Sequence, residues 1–435
     1  MEPVPSPAQN QARLLVQASQ YLAGGGTGLF VLPQELNLVV DRGEGSRVWD
    51  VAGREYLDYH LSSGPVLLGH AHPAVTEAVQ SRLSKGTTYF FLNEPEILLA
   101  KRLVEAIPCG ETVLYTGSGT EATYYSLRVA RAWTKRSKIL KFEGAWHGMH
   151  DYGLWSTVPA TLSQYPRGQR DSVGVPEETG ETVLIAPFND PERAVQIIEE
   201  HAHELAAVIV EPLQRVLVPD TAFLQAIRDV TRKHGIVMIY DEIVTGFRLA
   251  WGGAQERYGV VPDLACYGKA ISGGFPMAAV VGRADVMSVL DARSRPKGEV
   301  VWATNTLNGN PICAAAGLAA LEVLSQPGVY DHLHAIGSRL RAGIVAAAKR
   351  HGYDVQVPGE DAVFGVRFTA RAPIRTWVDH ATSDKDLGWR WAMALLERGL
   401  LVNPNEKFYI SLAHTQADVE RTLKIMDDAF ASLRR

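Results

Sequence analysis

Between residues 112 and 282 the chain alternates short apolar runs with longer amphipathic ones. The runs at 112–116, 137–142, 182–187, 206–211, 236–241 and 277–282 are rich in Val, Ile and Leu, as strands buried on both faces are. Between them, 120–134, 191–203 and 221–234 place apolar residues at helical spacing. This order predicts βαβ units around a mostly parallel sheet covered on both sides.

Past about residue 327 the pattern changes. A long Ala/Leu/Arg helix is expected over 330–351, then short strands at 364–369, 400–403 and 409–412 with closing helices. That combination predicts a second, smaller α+β domain. The opening segment, with strand patterns at 47–51 and 56–58, is expected to pack on it. The expected division is therefore 1–65 (N-terminal segment), 66–326 (large α/β domain) and 327–435 (small domain).

Composition narrows the picture. The chain has 435 residues, 46% hydrophobic and 21% charged, with formal net charge -5. This is the profile of an ordinary soluble globular protein, without the clustered basic field that nucleic acid or an anionic membrane demands. Residues 1–11 lack a basic start followed by an apolar stretch, so a secretory signal is not expected. Cys109, Cys266 and Cys313 are far apart and form no CxxC pair. Reduced thiols in a cytoplasm, rather than disulfides or zinc, are the expectation.

Three patterns carry chemistry. The run at 112–116 is followed by Gly117-Ser-Gly-Thr-Glu-Ala122, which opens a helix. A helix N-terminus offers unpaired N–H groups and partial positive charge, and Ser118 and Thr120 add hydroxyls, so a phosphate fits. A tight turn with Thr120 as a plain N-cap reads the same way. Neither GxGxxG nor Gly-Lys-Ser/Thr is completed, which argues against a nicotinamide dinucleotide. Next, the run 236–240 ends in Asp241-Glu242, and ligands gather beyond the carboxyl ends of strands in such sheets. A carboxylate there can keep a pyridine nitrogen protonated and make the ring an electron sink. Equally, Asp241 can cap a helix or pair with a buried Arg. Finally, Lys269 lies among apolar and glycine neighbours over 263–276. Shelter from water lowers an amine's pKa and frees it to form an imine, unless the side chain snorkels out. Together, in this order, the three point to pyridoxal 5'-phosphate.

The chain resembles the class III (ornithine/GABA-type) aminotransferases of pyridoxal-phosphate fold type I, and within them the glutamate-1-semialdehyde aminomutases and their aminotransferase relatives. The likeness runs from about residue 43 to 425. It is carried by Gly43-Glu-Gly-Ser-Arg-Val-Trp-Asp50, Gly69-His-Ala-His-Pro73, Gly117-Ser-Gly-Thr-Glu-Ala122 and Phe142-Glu-Gly-Ala-Trp-His-Gly148. Val210-Glu-Pro212, Asp241-Glu-Ile-Val-Thr-Gly-Phe-Arg248, Gly268-Lys-Ala-Ile-Ser-Gly-Gly274, Thr306-Leu-Asn-Gly-Asn-Pro311 and Ser411-Leu-Ala-His414 continue it. The resemblance implies that Lys269 forms an aldimine with the cofactor and shuttles protons. It implies that Asp241 pairs with the ring nitrogen and that Ser118, Gly119 and Thr120 hold the phosphate. The ring would stack on Trp146 beside His147, with Glu211 and Ile243 completing the cofactor site. Thr306 would come from a partner subunit, implying a homodimer with shared sites. The substrates would be an amino donor and a carbonyl acceptor.

Three departures from the aminomutase pattern concern the substrate. Trp146 stands where Tyr is usual and can stack equally well. Ser63 stands where those enzymes have Trp, which should open the pocket. Over 24–35 there is no Arg to grip a substrate carboxylate, a contact worth about 1.5–3 kcal/mol. Glu406 matches a Glu of that family, and Lys407 beside it is expected to face solvent, the alternative being a substitute cation for the missing Arg. The expectation is an aminotransferase with a roomier, less carboxylate-dependent pocket, the alternative being an aminomutase, racemase or epimerase. A cofactor-binding regulator without turnover is disfavoured because no basic helix-turn-helix precedes the domain.

Other signals are read blandly. His70 and His72 lack a third metal ligand. His201 and His203 are taken as helical and two apart, so they share no face. Gly24–Gly26 is expected to be a flexible substrate-side segment, and Trp251 packing.

Overall fold

The computed structural model describes residues 6–26, 37–159 and 161–433. Its centre is a seven-stranded sheet. In spatial order the strands are Thr112–Thr116, Ala278–Gly282, Leu264–Tyr267, Val237–Asp241, Leu205–Val210, Lys138–Phe142 and Val183–Ala186. Ala278–Gly282 runs antiparallel to both neighbours, and the other pairings are parallel. Leu205–Val210 and Val237–Asp241 are buried at every position, so nothing in these runs alternates. Helices cover both faces, and that is why continuous apolar runs are stable here.

Thr221–His234 shows how a covering helix is specified. It buries Phe223, Leu224, Ile227, Val230 and Thr231 along one stripe, and Gly235 closes it in the left-handed conformation at φ 60°. Most expected strands and helices form with ends shifted by a residue or two; the exceptions are 364–369, split into Val363–Gly365 and Arg367–Phe368 in different sheets, 409–412, which forms as Lys407–Tyr409, and the helix at 191–203. That helix is Pro191–Glu200, so His201 is its C-cap, bonded to Glu204 at 2.9 Å, and His203 lies beyond the helix. Four strands were not expected: Val40–Glu44, Val355–Gln356 and Gly359–Glu360 in the small sheets, and Leu264–Tyr267 in the large one. Leu264–Tyr267 is short and contributes Ala265 and Cys266, which carry little strand signal of their own.

The smaller sheets join chain ends. Val40–Glu44, Arg47–Asp50 and Glu55–Asp58 form a meander, and Leu400–Leu401 adds to it in parallel through Leu400 opposite Leu57. Lys407–Tyr409 pairs with Val363–Gly365, which pairs in turn with Gly359–Glu360. The C-terminal strands thereby reach the open side of the large sheet. Among the described residues no single helix is long and apolar enough to cross a membrane. Only the pair Pro311–Leu324 and Val329–Arg350, bent by 77°, passes that test together.

Candidate active site

The carboxyl ends of the large-sheet strands open onto a cavity of about 500 Å³. Lys269, Asp241, Trp146, His147, Glu211 and the 118–120 turn all line it. Residues separated by as many as 151 positions in the chain, from 118 to 269, thus share one pocket because their strands end on the same sheet edge.

Asp241 closes its strand and is buried. Its Oδ2 lies 2.8 Å from His147 Nδ1, and its Oδ1 accepts the Ile243 N–H at 3.2 Å. It therefore pairs with a histidine, not with an arginine or a helix end. Burial pushes the Asp241 carboxyl up to about 7, against the opposing pull of the Ile243 N–H and of Lys269. Burial also pushes the His147 imidazole down to about 3. His147 Nε2 is buried with no partner. A carboxylate held this way is stabilised by a cation at its pocket edge, which a protonated ring nitrogen would supply. Glu211 accepts the Trp146 backbone N–H at 3.0 Å and so holds the loop that presents the indole, which is 36% exposed.

Lys269 follows Leu264–Tyr267 and adopts φ 48°. Its Nζ donates to the Ser63 carbonyl at 2.8 Å. Burial, then the charges of Lys407 and Arg248, lower its pKa to about 8. A lysine with one hydrogen bond and a depressed pKa is suited to imine chemistry.

The 118–120 turn also departs from one reading of the sequence. Ser118, not Thr120, is the N-cap: its side chain accepts the Glu121 N–H at 3.3 Å, and the helix is Gly119–Thr134. Thr120 instead accepts the Met149 N–H at 3.3 Å. Gly148, at φ 92°, passes so close that a Cβ there would lie 2.6 Å from Thr120 Oγ1. Ile243 packs against Gly119 from the other side. An anion-receptive turn, a buried carboxylate and a sheltered amine around one cavity fit a phosphorylated pyridine aldehyde.

The opposite wall was poorly foreseen. Lys407 does not face solvent: it is 8% exposed and lines the pocket, since Lys407–Tyr409 is a strand folded over it. Arg215 lines the pocket as well, so the pocket is not short of cations. Its position four residues past Glu211, in the loop after a strand end, was the available signal. Ser63 also lines the pocket. Arg248 is wholly buried beneath it, donating to Ile410 O at 3.1 Å and to Gly64 O. Thr306 lies on an exposed turn and does not line this chain's own pocket. The Arg-free stretch 24–35 mostly lies outside the described residues, and Ala23–Gly25 is an exposed 3₁₀ turn. His70 is paired with Asp58 at 2.7 Å.

Comparison with known proteins follows the geometry. Residues 31–430 match the model of the family Aminotransferase class-III. A glutamate-1-semialdehyde 2,1-aminomutase of Desulforudis audaxviator is 40% identical over 96% of this chain and 97% of its own. An omega-transaminase of Sphaerobacter thermophilus superimposes with TM-score 0.92 at 34% identity, over 98% of each chain. A transaminase solved with PLP bound superimposes with TM-score 0.88 at 28% identity, over 99% of each. The chain belongs to the class III aminotransferases, the pyridoxal-phosphate-dependent enzymes of fold type I.

Proposed function

We propose that this chain moves an amino group within one substrate, as a glutamate-1-semialdehyde 2,1-aminomutase does, with the cofactor held at Lys269. The observation that carries the reading is the aminomutase relative, 40% identical over nearly the full length of both chains. This reverses the weighting expected from Ser63 and the Arg-free N-terminal stretch, which favoured transfer between two substrates.

When bound, the cofactor supplies an aldehyde that accepts an amino group and a cationic ring that draws electrons from the adjacent carbon. The protein's part is then positional and protonic. Asp241 would keep the ring nitrogen protonated, and His147 orients Asp241 through the 2.8 Å contact. Ser118, Gly119 and Thr120 would hold the phosphate at the helix N-terminus. Trp146, whose backbone N–H is held by Glu211, would stack on the ring. The Lys269 amine, with its pKa lowered to about 8, would be half unprotonated at that pH and would exchange protons with the substrate carbon that bears nitrogen. Thr306 of a second copy would complete the cofactor site in a homodimer.

Intermolecular transfer between an amino donor and a carbonyl acceptor is the second reading. Ser63 at the pocket wall and the 0.92 TM-score with an omega-transaminase favour it. The two part on one experiment. Glutamate 1-semialdehyde would be supplied alone, with product followed by chromatography. Conversion to 5-amino-4-oxopentanoate without an added acceptor supports the mutase. No isomer, but amino transfer from a donor panel to added carbonyl acceptors, transfers support to the second reading. Failure of both excludes both.

A further inference from the structure

We infer that Arg215 is the anchor for a substrate carboxylate, and that Glu406 occupies this cation until the carboxylate arrives. The inference rests on the amino-transfer reading for its substrate, but its geometry is independent of that chemistry. Arg215 takes φ 57°, a left-handed conformation that costs a non-glycine residue about 1–2 kcal/mol. Strain of this kind persists where surrounding contacts impose it. Here the contacts are explicit. Arg215 Nε donates to Gly144 O at 3.0 Å and an Nη2 hydrogen to Thr157 O at 3.2 Å. These two bonds fix the guanidinium plane against the loop that carries Trp146, with its carbon 5.3 Å from the indole centroid.

The remaining terminal nitrogen, Nη1, lies 4.0 Å from Glu406 Oε1. That is ion-pair distance but beyond a hydrogen bond. The Glu406 side chain is 45% exposed, so its hold on Arg215 is loose and screened. Behind it, Arg367 is 2% exposed and donates to His380 Nδ1 at 3.2 Å and to Val366 O at 2.9 Å, both neutral partners. Arg215, Arg367 and Glu406 line a smaller cavity of about 160 Å³ adjoining the main one. Lys407 adds a further cation on the main-pocket side. On this wall the half-exposed Glu406 is the acid beside Arg215, Arg367 and Lys407, and its 4.0 Å contact leaves Arg215 Nη1 without a hydrogen-bonded carboxylate. A carboxylate carried several bonds from the reacting amine would complete the set, with Arg offering the planar fork that such a group prefers.

The test uses the cofactor-loaded enzyme and pentanoate, a five-carbon acid without an amine, with pentanamide as its neutral counterpart. Binding is read by calorimetry. Arg215→Met is expected to weaken pentanoate about 10–100-fold and leave pentanamide unchanged. Arg215→Lys should fall between, and Glu406→Gln should tighten pentanoate by removing the internal competitor. In steady-state assays Arg215→Met should raise KM for carboxylated amino substrates at least about tenfold more than for carboxylate-free amines, and equal changes for both would count against the anchor. Pentanoate binding that is undetectable in the wild type, indifferent to Arg215→Met, or lost in equal measure with pentanamide would overturn the anchor. Thermal melts of Arg215→Lys identify misfolding separately. If pentanoate binding follows Arg215 while no substrate undergoes amino transfer, the reaction assignment falls and the anchor stands.

Discussion

The two walls of the pocket are built in opposite ways. The cofactor wall (Asp241, Lys269, His147 and the 118–120 turn) stands at or just beyond strand ends of one sheet, each group tied by hydrogen bonds of 2.8–3.3 Å. The substrate wall comes from Ser63, Arg215, Asn403, Glu406, Lys407 and Tyr409, delivered by loops and two-to-three-residue strands. One wall is anchored in a sheet whose central strands are buried along their whole length, and the other on loops and on the three-residue strand Lys407–Tyr409. Rigid placement of the reacting groups with a changeable opposite wall lets one cofactor chemistry serve many substrates.

Two buried lysines sharpen the contrast. Lys141 Nζ has three acceptors, Gly153 O and Trp155 O at 2.7 Å and Thr157 Oγ1 at 3.0 Å. It pins the loop that bears Trp146 and His147. Lys269 has one. A fully satisfied ammonium is structural, whereas a singly bonded one can react.

The largest expected break of the comparison is Asp241→Asn. Removing the carboxylate should lower kcat for amino transfer on the order of 10²–10³-fold, as loss of a preorganised charge does. The same change should raise stability. The folded-state pKa of Asp241, about 7, lies above its ordinary 3.8, so the folded protein loses stability as pH rises across that interval, and Asn removes the loss. Denaturant melts of the protein prepared without cofactor, at pH 4 and pH 8, check this. A variant that is less stable at pH 8 would contradict it.

Lys269 sets the next effect. Its pKa falls from 10.5 to about 8 in the folded protein, so the unfolded chain holds more protons between those values. Stability should therefore rise with pH from about 8 to 10.5, by up to about 3 kcal/mol relative to Lys269→Ala. Parallel melts of the two proteins, again without cofactor, measure the difference. A flat difference would mean the amine is well solvated.

The smallest effect lies on the substrate wall. Leu61, Ser62 and Ser63 take φ 46°, 56° and 64° before Gly64 at 107°. This left-handed turn aims the Ser63 and Gly64 carbonyls at Lys269 and Arg248. Glycine at 62 removes the steric cost, so Ser62→Gly should stabilise by about 1 kcal/mol. Little change in activity is expected, because both carbonyls remain. Calorimetric melting decides, and destabilisation would show that the Ser62 side chain matters more than its backbone.

What could be read from residues alone follows from local physics. Apolar runs that must be buried on both faces, a turn that opens a helix, an acid at a strand end and an amine among glycines each leave a short-range signature. Those signatures, with the motif order, sufficed for the cofactor class and for six of the seven strands of the large sheet. The His147–Asp241 pair was legible only as two separate candidates, since 94 positions part them. Tertiary structure alone decided the substrate wall. Lys407 reads as a surface lysine until the strand Lys407–Tyr409 pairs with Val363–Gly365 and folds over the pocket. Arg215 reads as a loop residue until Gly144 and Thr157 orient it. A side chain's environment is set by what packs against it from far along the chain, and charge patterns in sequence carry no record of that distance.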